Sequence, residues 1–448
     1  MPSNEQSGPD TKDSSGGVKV GANSIIVIFT TVLINMIGFG VIMPVMPSLI
    51  MEVTGEPLAY AAQWGGIVSA VYAFMQFLCG PILGGLSDRF GRRPVILGSL
   101  VAYSLDFLLL AVAPSLAILL LARVMSGAFS ATFTTANAFI ADISPPEKRA
   151  ANFGLMGAAF GLGFIIGPVV GGLIGDAYGI RAPFYFVALL GMLNFVYGFF
   201  FLPETLVPEN RRPFDWRRAN MFGSFIQFSR YPEILPIAIA IFLFQVGHWS
   251  FPSVWAYFAT ERFGWGPKEI AYALAAVGLS AAIVQGGLTR VITPMLGERG
   301  AATMSLIVAT CVYGIYGVIE EGWMVYFLIP IGAFAGLTIP SLQGVMSSTM
   351  PADEQGELQG AIAGIAGLSM IIGPFVATQT FAAFASPGAP ITIGSITISE
   401  TGAPFYLPGA PFFLASILAA MSLGVLLSAR KRPPSEEIPS EPSAVAAD

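Results

Sequence analysis

The sequence predicts an all-α membrane protein of twelve transmembrane helices arranged as two related six-helix halves. Composition, run length and an internal repeat lead to that fold. Of 448 residues, 54% are hydrophobic and 11% charged, against about a quarter charged in an ordinary soluble domain. The apolar residues fall into runs of about 20, the length that crosses a hydrocarbon core of about 30 Å.

Residues 1–22 are polar, carry acidic groups and end in no small-residue cleavage site, so they are expected to form a disordered cytoplasmic tail rather than a signal peptide. The first half, 23–202, contains apolar runs near residues 24–47, 65–86, 95–114, 116–140, 153–175 and 183–202. Residues 203–232 form the longest connection. Its stretch Arg211-Arg212-Pro213-Phe214-Asp215-Trp216-Arg217-Arg218 is expected to lie at the lipid headgroups, rings buried and cations facing anionic lipid. The second half, 233–430, contains runs near 234–257, 269–293, 302–319, 324–346, 358–385 and 406–428, and a tail over 431–448 follows.

An even number of spans places both termini on one side, and Lys and Arg decide which side that is. Seventeen of the 21 basic residues fall on the side of the termini, three (Arg181, Arg262 and Lys268) on the other, and Arg123 inside a span. Both termini are therefore expected in the cytoplasm. The net charge of −6, with cations scattered through short turns, forms no patch for nucleic acid. Cys79 and Cys311 fall in separate spans as small packing residues, so neither a disulfide nor a metal site is expected.

The fifth run reads Gly161-Leu162-Gly163-Phe164-Ile165-Ile166-Gly167-Pro168 and the eleventh Gly367-Leu368-Ser369-Met370-Ile371-Ile372-Gly373-Pro374, offset by 206 residues. At the same offset Pro145 meets Pro351 and Gly154 meets Gly360. Parallel duplication of this kind relates the halves of many secondary transporters, with the substrate site between them.

Between the second and third runs lies Gly84-Gly85-Leu86-Ser87-Asp88-Arg89-Phe90-Gly91-Arg92-Arg93-Pro94. Gly84 and Gly91 allow close helix approach and a tight turn, Pro94 suits a helix start, and the charges can form a switchable ion-pair latch. The positive-inside rule alone would explain Arg89, Arg92 and Arg93 but neither Asp88 nor the glycines. The stretch resembles the signature loop of the major facilitator superfamily. Its counterpart in the second half keeps Gly297 and Arg299 but has Pro294 where the acid would fall, so the latch belongs to the first half. Gly161, Gly163, Gly167, Pro168 and Gly171 resemble the span-five signature of facilitator antiporters, although glycines at such spacing also serve plain helix packing.

Further stretches narrow the resemblance to the tetracycline-resistance efflux family and its drug:proton antiporter relatives over residues 24–430. Among them are Gly38-Phe39-Gly40-Val41-Ile42-Met43-Pro44, Leu105-Asp106-Phe107, Leu202-Pro203-Glu204-Thr205 and Glu261-Arg262-Phe263-Gly264-Trp265. The resemblance implies a monomeric secondary transporter of a bacterial inner membrane. It would export small amphipathic drug-like molecules against protons, drawing on the proton gradient and no bound cofactor. Its partners would be the small-molecule substrate, protons and membrane lipid. A facilitator that carries a metabolite is the alternative.

Polar groups inside spans are costly and so are functional candidates. Asp106 is the one acidic residue deep in a run, near the midplane of span three, where a carboxylate can cycle between charged and neutral forms; a structural hydrogen-bonded acid is the other reading. Arg123 in span four resembles the superfamily's intramembrane arginine, associated with proton transfer, and could pair with Asp106 or hydrogen-bond Asn35, or simply hold helices together. Asn35 and Gln76 reach the same depth and resemble polar cavity positions, or act as helix glue. His248, the only histidine, is counted with Asn35 and Gln76 at the cavity, where it could relay protons, or is simply capped by neighbouring backbone.

Tetracycline exporters of the family typically carry further acids in spans one and nine and a histidine in span eight. This chain has Asn35 at the span-one position and lacks the other groups. No second deep acid, no facing Ser–His pair and no Gly-x-x-x-x-Gly-Lys-Ser/Thr loop is present, so a membrane-embedded enzyme and an ATP-driven pump both lack their chemistry. The topology makes a direct expectation: a cysteine placed at Ser224 stays unlabelled by an impermeant maleimide applied to intact cells, and labelling from outside would overturn it.

Overall fold

The computed structural model describes residues 22–130, 132–214, 233–348, 350, 354–388, 390–393, 396–399 and 402–429. The expectations for the two tails, for most of the linker and for Pro351 lie outside these residues.

The twelve spans are all found. Spans one to three are Ala22–Thr54, Leu58–Phe90 and Arg92–Val112. Span four comes as two pieces, Leu116–Ala128 and Thr132–Ile143. Spans five and six are Arg149–Tyr178 and Ala182–Phe201. Span seven is Leu235–His248 continued, after a break at Trp249, by Ser250–Phe263.

Spans eight and nine form one 52-residue helical stretch, Pro267–Val318, which folds back at Gly297 (φ 69°, ψ 162°). A π turn interrupts span eight at Val284–Leu288. Span ten runs Gly322–Gly332 and Thr338–Ser347 around a 3₁₀ turn, Ala333–Leu337. Spans eleven and twelve are Gln355–Ala385 and Ala410–Ser428. The spans are helical, and Ile391–Ile393 and Ile396–Ser399 pair as an antiparallel hairpin between the last two of them. A connection outside the membrane is free to use strands, because water can satisfy their edges.

The duplication is visible in the helix ends. Val112 and Val318 end spans three and nine, Leu116 and Gly322 begin four and ten, and Arg149 and Gln355 begin five and eleven, each pair 206 residues apart. Gly91 and Gly297, at the same offset, both hold positive φ at the turn into the next span, where a side chain would strain the backbone. The break after Ala128 and the 3₁₀ turn of span ten also coincide at that offset. Two equivalent spans thus lose regular hydrogen bonding at one depth, which a bilayer tolerates only where protein or a cavity meets the backbone.

Span five shows how glycine sets the packing. Gly163, Gly167 and Gly171, four apart, lie against Met36, Ile37 and Val41 of span one, and Pro168 rests on Gly40. A Cβ at Gly167 would come within 2.5 Å of the Ile37 carbonyl oxygen. A second face of the same helix meets span eight, Ile165 against Gly278 and Gly172 against Pro267 and Ala271. Gly154, Gly157 and Gly161 continue that face toward the termini with nothing nearby.

The other helices between the halves repeat the pattern. Away from the termini, span two touches spans seven and eleven through Gly65 and Gly66, whereas Gly80, Gly84, Gly286, Gly287 and Gly356 on the termini side have open space around them. The halves therefore close on the far side and splay on the side of the termini. Overpacking a helix contact costs on the order of 1–3 kcal/mol. Gly167→Leu should accordingly lower the unfolding temperature and the monodisperse yield of detergent-purified protein, while Gly161→Leu should leave both near those of the parent; equal effects would contradict the two-face assignment.

Candidate functional site

The splayed halves enclose a cavity of about 1410 Å³, counting its open mouth. Span one contributes Asn35, Met36 and Phe39, span two Tyr72 and Gln76, span three Tyr103 and Phe107, and span four Arg123, Ser126, Phe129 and Ser130. From the second half come Trp249, Pro252, Ser253, Tyr257, Met370 and Pro374. The wall is mostly apolar, rich in aromatic rings and thioethers, and its polar groups are concentrated on the first half. That is the composition of a site for an amphipathic small molecule.

Asp106 and Arg123 form the one ion pair buried in the membrane among the described residues. The Arg123 Nη2 donates to both carboxylate oxygens, at 2.7 and 2.6 Å. Asp106 has 0% exposure and Arg123 5%. The guanidinium lies between cavity and carboxylate, so Asp106 is sealed behind it rather than set in the wall. Arg123 also lies over the Tyr72 ring, 5.9 Å from its centroid, and its Nε has no partner. The pair is mutually neutral, which makes burial tolerable, yet a donor is left unspent beside the cavity.

Asn35 lines the cavity with its amide nitrogen donated to the Thr31 carbonyl, 2.9 Å away, so it neither bonds Arg123 nor bridges helices. Gln76 is a wall residue too. His248 is not: it shares a 2.8 Å hydrogen bond with the Tyr313 hydroxyl of span nine and stacks on Phe244. One residue of helix turns the next position, Trp249, onto the wall instead. The assignment of His248 to the cavity is therefore corrected.

The signature loop forms a charge cluster within the first half. Arg92 pairs with Asp88, donates to Ser87 Oγ at 2.6 Å, and reaches Asp142 at the end of span four at 3.1 Å. Glu204, just after span six, accepts the backbone N–H groups of Arg92 and Arg93 at 2.8 and 3.2 Å, placing an anion at the N-terminus of span three. It also fills the space a Cβ at Gly91 would take. Arg93 caps the end of span six through the Phe199 carbonyl, and Arg299, at the repeat offset, caps span twelve through Leu426. Arg89 is exposed, its guanidinium over the Phe90 ring.

In this conformation, then, Asp88 latches its own half rather than the other. The start of the linker runs over the loop: the Arg212 N–H donates to the Asp88 carbonyl and the Phe214 ring covers Gly85. Nothing in the sequence alone assigns a role to Asp142, Glu204, Tyr72 or Tyr257. The acids are brought in from more than 100 residues away or from a different helix end, and the tyrosines sit in aromatic runs where nothing marks one ring from the next.

Residues 28–374 match the Major Facilitator Superfamily. The chain is 37% identical over 364 residues to the tetracycline resistance protein, class C, of Escherichia coli, covering 81% of this chain and 91% of that protein. It is 28% identical over 355 residues to multidrug resistance protein 2 of Bacillus subtilis, covering 78% and 86%. Among solved structures, the nucleoside transporter NupG superposes with a TM-score of 0.73 at 12% identity, over 91% of this chain and all of that one. A bacterial homologue of the human lysosomal transporter Spinster, in an inward-facing and unoccupied conformation, gives 0.69 at 18% identity, over 94% and 100%. With two duplicated six-helix halves, a cavity between them and the signature loop in place, the chain belongs to the major facilitator superfamily and, within it, to the group that holds the tetracycline resistance proteins.

Proposed function

We propose that this protein is a proton-coupled exporter of small amphipathic molecules, with no enzymatic step of its own, working in a bacterial inner membrane with both termini in the cytoplasm. The observation that carries this reading is the buried Asp106–Arg123 pair behind the cavity wall. The uneven distribution of basic residues supports the orientation, which makes the open side of the cavity cytoplasmic and the conformation inward-facing.

The geometry suggests how the two flows are linked. With Asp106 charged and paired, the first half carries no net charge at its centre and the cavity is open to a substrate from the cytoplasm. A hydrogen-bond acceptor on that substrate can take the unspent donor of Arg123. The Asp106 carboxylate holds the guanidinium in the pose that offers this donor, and a proton arriving from outside, once the halves have rocked, neutralises that carboxylate. The guanidinium, no longer held by a charged partner, gives up that pose, so the substrate loses its donor and is released. Proton and substrate thus exclude one another by reciprocal linkage.

Two variants test the coupling and the selectivity. Asp106→Asn keeps the shape but cannot carry the proton, so outward accumulation against a gradient should fall roughly tenfold or more, in line with a coupling of about 1–3 kcal/mol. The check is a drug-susceptibility panel and gradient-driven flux in an efflux-deficient host; retained uphill export would assign the proton to another residue. Asn35 leaves the cavity with a single acid, itself paired, which favours neutral or weakly charged aromatic compounds and weak or no tetracycline export. Asn35→Asp adds an unpaired carboxylate where Coulombic attraction is several-fold stronger than in water. Export of cationic or metal-chelated drugs should appear in that variant, and strong tetracycline resistance from the unmodified protein would refute the preference.

A further inference from the structure

The closed end of the cavity carries a feature that the proton pair does not use. Span two brings two adjacent glycines, Gly65 and Gly66, to the contact between halves, and each receives one side chain from the second half. The Tyr257 hydroxyl of span seven occupies the place of a side chain at Gly65, and Thr378 of span eleven does the same at Gly66. One residue pair seals the contact further: Gln379 Nε2 donates to the Gln63 carbonyl at 3.0 Å. Any residue larger than glycine at position 65 would meet the Tyr257 ring end-on, and a tyrosine ring has no flexible tip with which to yield.

Tyr257 is 4% exposed, lines the cavity together with Gly65, and its hydroxyl has no hydrogen-bond partner. Thr378 differs in this respect, since its hydroxyl donates to the Pro374 carbonyl at 2.9 Å. A buried polar group without a partner is rare because it loses the hydrogen bond that water gave it. Here the unmet group lies at the meeting of the cavity roof and the contact that must part for the far side to open.

We propose that Tyr257 is the outer gate of the cavity, seated in the Gly65 notch when the far side is closed, and that its free hydroxyl docks a hydrogen-bond acceptor, such as a carbonyl oxygen, on the molecule carried. A substrate that engages the hydroxyl draws it from the notch, so that occupancy and gate opening are the same event. The docking role rests on the export reading above, and the gate only on its orientation.

The gate is read by accessibility in the full-length protein, with Cys79→Ser and Cys311→Ser as background and Gln63→Cys as reporter. Intact cells labelled with a membrane-impermeant maleimide should react slowly. Gly65→Ala should raise the rate several-fold, and Tyr257→Phe added to Gly65→Ala should return it toward the parent, because it removes the atom that collides. An unchanged rate in Gly65→Ala, or failure of the second change to restore it, overturns the gate. Docking is read with two neutral aromatic probes, chloramphenicol, which carries an amide carbonyl, and N-phenyl-1-naphthylamine, which carries no oxygen. Tyr257→Phe should lower chloramphenicol export several-fold and leave the naphthylamine unaffected. Equal effects on both, or none, overturn docking. A parent that exports neither probe overturns the export reading itself, while the labelling still decides the gate.

Discussion

Because the bilayer core holds no water, every polar group within it must be satisfied by the protein, and most of this structure follows from that constraint. Helices satisfy their own backbones, so the chain crosses as helices. In spans four and ten the backbone departs from regular geometry at matched depths, with Phe129 and Ser130 facing the cavity. Among the described residues, the one acid buried within a span is sealed against Arg123. Within the cavity region, the donors left over are Arg123 Nε and the Tyr257 hydroxyl, one at the base of the polar wall and one at its roof. Both are placed where a transported molecule could supply the missing acceptor.

The duplicated halves share scaffolding but not chemistry. Spans one and five pack through Gly40 and Gly167, and spans seven and eleven repeat the contact with Gly373 against Val246 and Trp249. Yet at the 206-residue offset Asp106 corresponds to Val312 and Arg123 to Ile329, both buried in the apolar core. One half is thus a charged working surface and the other an apolar counterface. A second ion pair would add desolvation cost without adding a proton to exchange, since a single carboxylate suffices to bind one.

Span five links this asymmetry to motion. Its Gly163–Gly167–Gly171 face is locked to span one, within the same half, while the face carrying Ile165 and Gly172 meets span eight of the other. The first contact is backbone against backbone and resists sliding. The second touches at the far end and middle and opens toward the termini, so the halves can rock about it as bodies. The charge cluster of Asp88, Arg92, Asp142 and Glu204 ties the ends of spans two, three, four and six together, which lets the first half move as one piece.

The sequence by itself determined the number of spans, the duplication and the placement of polar groups by depth. These depend on run length and local composition, which a bilayer reads one segment at a time. It also marked Asp106 and Arg123, because a charge inside an apolar run is visible without knowing its neighbours. Only the tertiary structure decided that the two charges meet, that His248 turns to Tyr313 and away from the cavity, that Glu204 caps span three, and that Tyr257 fills the notch at Gly65. Depth along a helix is set by counting residues. Which face a residue presents, and what it meets there, is set by how helices distant in sequence pack, and Gly65 and Tyr257 lie on different halves of the chain.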